Sequence, residues 1–193
     1  MKACRKFLLV TLAAGAMFFT TCSSNNITDN NINSEKIGKS GPGGGIVFFD
    51  KGNSSGGWRY LEAALEDQST GIQWYNEKNI ETGATGTEIG TGRLNTQKII
   101  KAQGNGMYAA IVCTNYKGGG KNDWFLPSKD ELNLMYTRLK AAGIGKFSNR
   151  HYWSSSEIDA KYAWSQSFVE GIQFDKSAKE FIILTSVRAI RAY

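Results

Sequence analysis

The chain has 193 residues, of which 41% are hydrophobic and 21% charged, with 22 glycines and two prolines. That is enough apolar material for the core of one domain and too much for a disordered chain, and the glycines lack the period of three that collagen needs. The formal charge of +6 does not predict a nucleic-acid partner, because Lys2, Arg5 and Lys6 crowd the start and the other basic residues form no stripe.

Residues 1–21 read as a lipoprotein signal peptide. A basic start precedes an apolar run from Phe7 to Phe19, shorter than the roughly 18 residues a spanning helix needs. Phe19-Thr20-Thr21-Cys22 then resembles the bacterial lipobox, with Thr21 where Gly or Ala is usual and Phe19 where Leu is usual. This predicts cleavage before Cys22, lipidation of its thiol, and a membrane partner held through the acyl chains. The expected location is the cell envelope, lipid-anchored, at the outer membrane. Residues 22–40 read as the lipidated cysteine and a flexible tether rich in Asn and Ser, about 25 Å in typical span. Its isoleucines, at 27, 32 and 37, follow neither a helical nor a strand period. With Cys4 removed and Cys22 acylated, Cys113 is the single cysteine of the domain, so no internal disulfide is expected.

The domain is expected over residues 41–193. Gly41-Pro42-Gly43-Gly44-Gly45 reads as a turn leading into a buried strand over 46–50. A phosphate loop would need the reverse order, strand before glycines and helix after. Asn53 to Gly57 is a turn, and 58–64 a second strand closing a hairpin with the first. Asn95 caps an expected helix that ends at Gly104, and 108–116 forms another that turns Cys113 toward the core. Ser128 and Glu131 make a capping box, followed by Leu132, Met135, Tyr136 and Leu139 at helical spacing until Gly143. Asp130 and Glu131 fit the first turn of that helix, where the dipole favours negative charge. Strands are expected over 152–157, 163–168, 181–184 and 187–193. The fold class is therefore α+β, with a twisted, mostly antiparallel sheet and two or three packed helices.

Several landmarks match a known family. They are Gly41-Pro42-Gly43-Gly44-Gly45-Ile46-Val47-Phe48, Gly90-Thr91-Gly92 with Asn95-Thr96, Ala109-Ala110 with Cys113, and Asp123-Trp124-Phe125-Leu126-Pro127-Ser128. Trp153-Ser154-Ser155-Ser156-Glu157, Ala163-Trp164 and Val187-Arg188-Ala189-Ile190-Arg191 complete them. On these residues the chain resembles the Lcl C-terminal domain family, common in bacterial lipoproteins. The resemblance implies a C-type-lectin-like fold, also similar to formylglycine-generating enzymes. It further implies kinship with the end of a collagen-like adhesin that binds sulfated glycosaminoglycans. This chain has no collagen-like repeat.

No enzyme signature is complete. The formylglycine-generating reaction uses two cysteines, and the domain offers Cys113 alone. A serine triad would have to use His151, the sole histidine, and no Gly-x-Ser-x-Gly elbow accompanies it. Zinc lacks ligands, calcium would find only Asn122 and Asp123, and Gly118-Gly119-Gly120-Lys121 is followed by Asn122 where a phosphate loop needs Ser or Thr. No catalytic residues, metal or cofactor are expected. The expected role is non-catalytic binding or adhesion toward a glycan or protein ligand, with an enzyme of unrecognised mechanism or a structural component of an envelope complex as alternatives. The candidate ligand-binding residues are Trp153, Glu157, Trp164, Gln166, Arg188 and Arg191. Tryptophans in that hairpin read first as core, and as a stacking surface with Tyr152 and Tyr162 in the sharper alternative. Arg188 and Arg191 read as partners of acidic residues across the sheet, or else as an anionic-glycan site.

Overall fold

Two sheets, three helices and the loops between them build the domain. A computed structural model of the chain describes residues 35–181 and 185–193. The signal peptide, Cys22 and most of the expected tether lie outside the described residues, as do residues 182–184 of an expected strand. Backbone pairing begins inside the expected tether: Gly38 donates to Val47, Val47 donates back to Lys39, and Ser40 bridges Ile46.

The apolar run Ile46–Asp50 forms β1, and it pairs antiparallel with β2, Tyr60–Ala63, as the hairpin reading expects. β2 is the middle strand of this first sheet. Its other edge takes β7, Ile190–Ala192, so residues from opposite ends of the domain share one strand's hydrogen bonds. Gly45 is needed here because a Cβ on it would lie 2.4 Å from the Ala63 carbonyl oxygen.

The helices follow. α1 spans Gly92–Gln103, beginning before Asn95, so Asn95 is not its cap. The Asn95 side chain is buried instead, donating to the Gly86 carbonyl at 2.6 Å and accepting from the Gly86 N–H at 3.2 Å, which ties the preceding loop to the helix. α2 spans Ala109–Asn115 with Cys113 fully buried. α3 spans Lys129–Met135, carries the expected capping box, and continues as one wider π turn over Tyr136–Lys140.

The second sheet runs β5-β4-β3-β6. Here β3 is His151–Glu157, β4 Tyr162–Ser167, β5 Gln173–Ala178 and β6 Thr185–Ser186, the last parallel to β3. The single sheet expected from sequence is thus two, and β5, polar and largely exposed, was not anticipated. One buried cluster gathers Trp74, Ile99, Cys113, Trp124, Leu126 and Trp153. A second gathers Phe48, Leu61, Phe125, Leu132, Met135, Tyr152, Phe168 and Ile190. Adjacent residues Trp124 and Phe125 point into different clusters, as alternation along extended backbone requires.

Candidate functional site

Three buried glutamates organise the loops, each taking backbone N–H groups from a glycine-containing turn. Glu62 on β2 accepts from Gly43 at 2.9 Å and Gly45 at 3.1 Å, and Arg191 completes it at 2.9 Å. Two donors of the opening glycine run are therefore committed to a carboxylate of the chain itself, and Gly41 and Gly44 donate to carbonyls within the run. Glu157, at the end of β3, accepts from Thr82 and Gly83 and pairs with buried Lys179 at 2.6 Å. Glu131, in the first turn of α3, accepts from Gly90 at 2.8 Å and Ser128 at 2.7 Å, and among the described residues no cation pairs with it. Burial pushes its carboxyl up to about 7, against the pull of the Ser128, Gly90 and Gly92 N–H groups.

Glu131 underlies a cleft. A cavity of about 280 Å³ is lined by Trp58, Gly90, Arg93, Gln97 and Phe125, with Glu131 beneath. A second cavity of about 190 Å³ shares Arg93, Gln97 and Phe125 and continues to Thr114, Asn122 and Asp123. Arg93 and Gln97 are four residues apart on α1, hence neighbours on its exposed face. The Arg93 guanidinium lies over the Phe125 ring at 5.2 Å and 3.9 Å from the Asp123 carboxylate. At the other end the Trp58 ring packs beside Phe49 and carries Lys51 Nζ 4.0 Å from its centre.

The five tryptophans divide by their indole N–H groups. Trp74, Trp124 and Trp153 are buried and donate to the carbonyls of Ser154, Gly118 and Ile72. Trp58 and Trp164 are half-exposed and make no indole hydrogen bond among the described residues. A half-exposed ring with a free donor is the usual equipment of a stacking site.

Most of the residues singled out from sequence are framework. Trp153 is fully buried with both ring and N–H engaged, so it cannot stack on a ligand. Glu157 is occupied by Lys179 and two backbone donors, and buried Gln166 donates to Asn133 and to the Gly171 carbonyl. Arg188 is buried against Asp67 at 2.7 Å, the Ala64 and Gly145 carbonyls and the Phe147 ring, which closes the anionic-glycan reading for it. Arg191 meets Glu62 directly across the β2–β7 pair and Asp123 beside it, the cross-sheet pairing anticipated from alternation. Trp164, like Tyr162, is only partly buried; Lys129 Nζ lies 5.4 Å from its ring centre, and it does not line the cleft. Tyr152 is core, its hydroxyl on Asp67, with burial and that carboxylate pushing its pKa up to about 12.

The remaining candidates are equally placed. His151 packs against Phe174 at 5.2 Å between ring centres, and burial raises the Cys113 thiol well above its ordinary range. Asp123 faces Arg191 and Arg93. Among the described residues, no three His, Cys, Asp or Glu side chains gather where they could hold a metal ion. Trp58, Arg93 and Gln97 were missed from sequence. The readable signals were a tryptophan directly after Gly56-Gly57 and two polar residues at i and i+4 on one helix face.

The chain is thus an α+β domain whose loops close over buried carboxylates. The family model described as the Lcl C-terminal domain matches residues 63–190, and the chain belongs to that family. No curated protein matches the chain. The matched span includes Arg93, Gln97 and Asp123 and begins after Trp58. Of the landmarks within it, Trp153, Glu157, Arg188, Glu131's partner Ser128 and Cys113 are buried parts of the framework.

Proposed function

We propose that the protein is a lipid-anchored cell-envelope protein whose C-type-lectin-like domain binds a glycan without transforming it, and that the ligand lies along the Trp58–Arg93–Gln97 cleft. The observation carrying this is the cleft's chemistry: a half-buried indole whose N–H has no partner among the described residues at one end, then guanidinium and amide groups spaced along one helix face. Sugar rings present apolar faces to stack and hydroxyls to hydrogen-bond, and a shallow groove with one aromatic and several planar polar groups meets both needs. The sequence of residues 1–40 supports the envelope anchor through its basic start, apolar run, Cys22 and polar tether. Family membership favours a binding role only through the adhesin kinship noted above.

The test is a glycan and host-matrix array probed with the full chain carrying Cys22→Ala. Expected is a bound glycan whose signal drops at least tenfold in folded Trp58→Ala and Arg93→Ala, and persists in His151→Ala with Cys113→Ser. Binding that survives both cleft variants would refute the cleft as the site. Loss in the second pair alone would favour an enzyme.

A further inference from the structure

Glu131 sits where three segments meet. Its two oxygens hold the Gly90 turn and the Ser128 cap of α3, and Gly92 at the start of α1 packs against it. The fit is close, since a Cβ on Gly92 would lie 2.2 Å from Glu131 Oε2. Gly90 also lies close to the cleft's aromatic: a Cβ there would lie 3.1 Å from Trp58 Cζ2. Carboxylate, turn and indole therefore form one packed line.

Among the described residues, the charged groups nearest in sequence and packing to this carboxyl have other partners. Glu88, on the turn, accepts from Thr87 N–H at 3.1 Å. Arg93, on α1, reaches the Ala192 carbonyl and Asp123, and Lys129 and Asp130, on α3, pair with each other. Arg59, beyond Trp58, is bound to Asp50. The bonds made to Glu131 come from donors alone. An ionised carboxylate suits such a ring. A neutral one carries its proton on one of those oxygens, which then accepts more weakly, so the bond to Gly90 or to Ser128 loosens on protonation.

We propose that Glu131 couples protonation to the shape of the cleft: ionised, it fixes the Gly90–Gly92 turn and Trp58 behind it in the ligand-binding arrangement, and neutral, it lets that turn shift. Full burial with no cation paired to it among the described residues places the change near neutral pH, whereas an exposed glutamate changes near 4.3. The consequence for binding rests on the cleft's being the ligand site; the coupling itself does not.

The experiment follows the labelled full chain by NMR from pH 5 to 9. The Glu131 side-chain carboxyl, the Gly90 and Gly92 amides and the Trp58 indole N–H are expected to move with one shared midpoint near 7. Glu131→Gln should leave the last three flat. A Glu131 carboxyl that does not titrate in this range overturns the proposal, as does a titration that Gly90 and Trp58 do not share, or one that persists in Glu131→Gln. If that variant does not fold, the wild-type titration decides alone. Any glycan identified on the array should bind at least threefold tighter at pH 8 than at pH 6. Concerted NMR shifts with pH-independent binding would refute the cleft reading and leave the coupling standing.

Discussion

The β3–β4 hairpin and the groove along α1 both combine aromatic with small polar residues, yet one is core and the other surface. In the hairpin Trp153 gives its N–H to Ile72, Gln166 its amide to Asn133, and Glu157 its carboxylate to Lys179. In the groove Trp58 keeps its N–H, and Arg93 and Gln97 stand on an exposed helix face. What separates them is burial: the hairpin's Trp153, Gln166 and Glu157 lie inside the fold, whereas Arg93 and Gln97 are exposed and Trp58 is half-buried. Residue type alone does not say so.

The largest effects should come from breaking the hairpin's internal pairings. Lys179→Ala leaves the Glu157 carboxylate buried beside backbone donors but without its cation, and is expected to destabilise the fold by about 3–5 kcal/mol in denaturant unfolding. Trp153→Ala, which removes a fully buried indole and leaves a cavity, should cost about 3–5 kcal/mol by the same measurement. A loss under about 1 kcal/mol in either would place the hairpin with the groove rather than apart from it. The α3 cap lies between the two regions. Ser128 accepts from Glu131 and donates to the Glu88 carbonyl, so Ser128→Ala should cost about 1–2 kcal/mol. In the groove, Trp58→Ala should cost about 1 kcal/mol or less while abolishing ligand capture, the reverse of Trp153→Ala.

A separate effect is one of pH. Folding raises the proton affinity of Glu131 from 4.5 to about 7. Its contribution to stability is therefore fully present below about 4.5 and is lost as pH rises through about 7. Melting curves between pH 5 and 8 should show this decline in the wild type and a flatter profile in Glu131→Gln; equal slopes would remove Glu131 as its source.

Much of the framework was legible before any coordinates. The β1–β2 hairpin, both short helices, the Ser128–Glu131 box and the burial of Cys113 follow from local pattern, because apolar periodicity and capping chemistry act over a few residues. The Arg191–Glu62 pairing was foreseen in kind, from alternation in a terminal strand. The site was not. Sequence cannot show that the indole N–H of Trp153 finds Ile72 O, 81 positions away, while that of Trp58 finds no acceptor among the described residues. Strand β5 escaped for a related reason: Gln173–Ala178 is mostly polar and lies at an edge, so no buried face marks it. Asn95 misled because its side chain satisfies Gly86 through a loop contact rather than the helix end.

The order of strands in the first sheet has a consequence for how the molecule is made. Arg191 and its partner Glu62 are 129 positions apart, and β7 supplies one whole side of β2. Until a ribosome has delivered residues 190–192, β2 presents an open edge and the Glu62 carboxylate lacks its guanidinium. Closing so long a loop is entropically slow, so this sheet should be among the last parts of the domain to form.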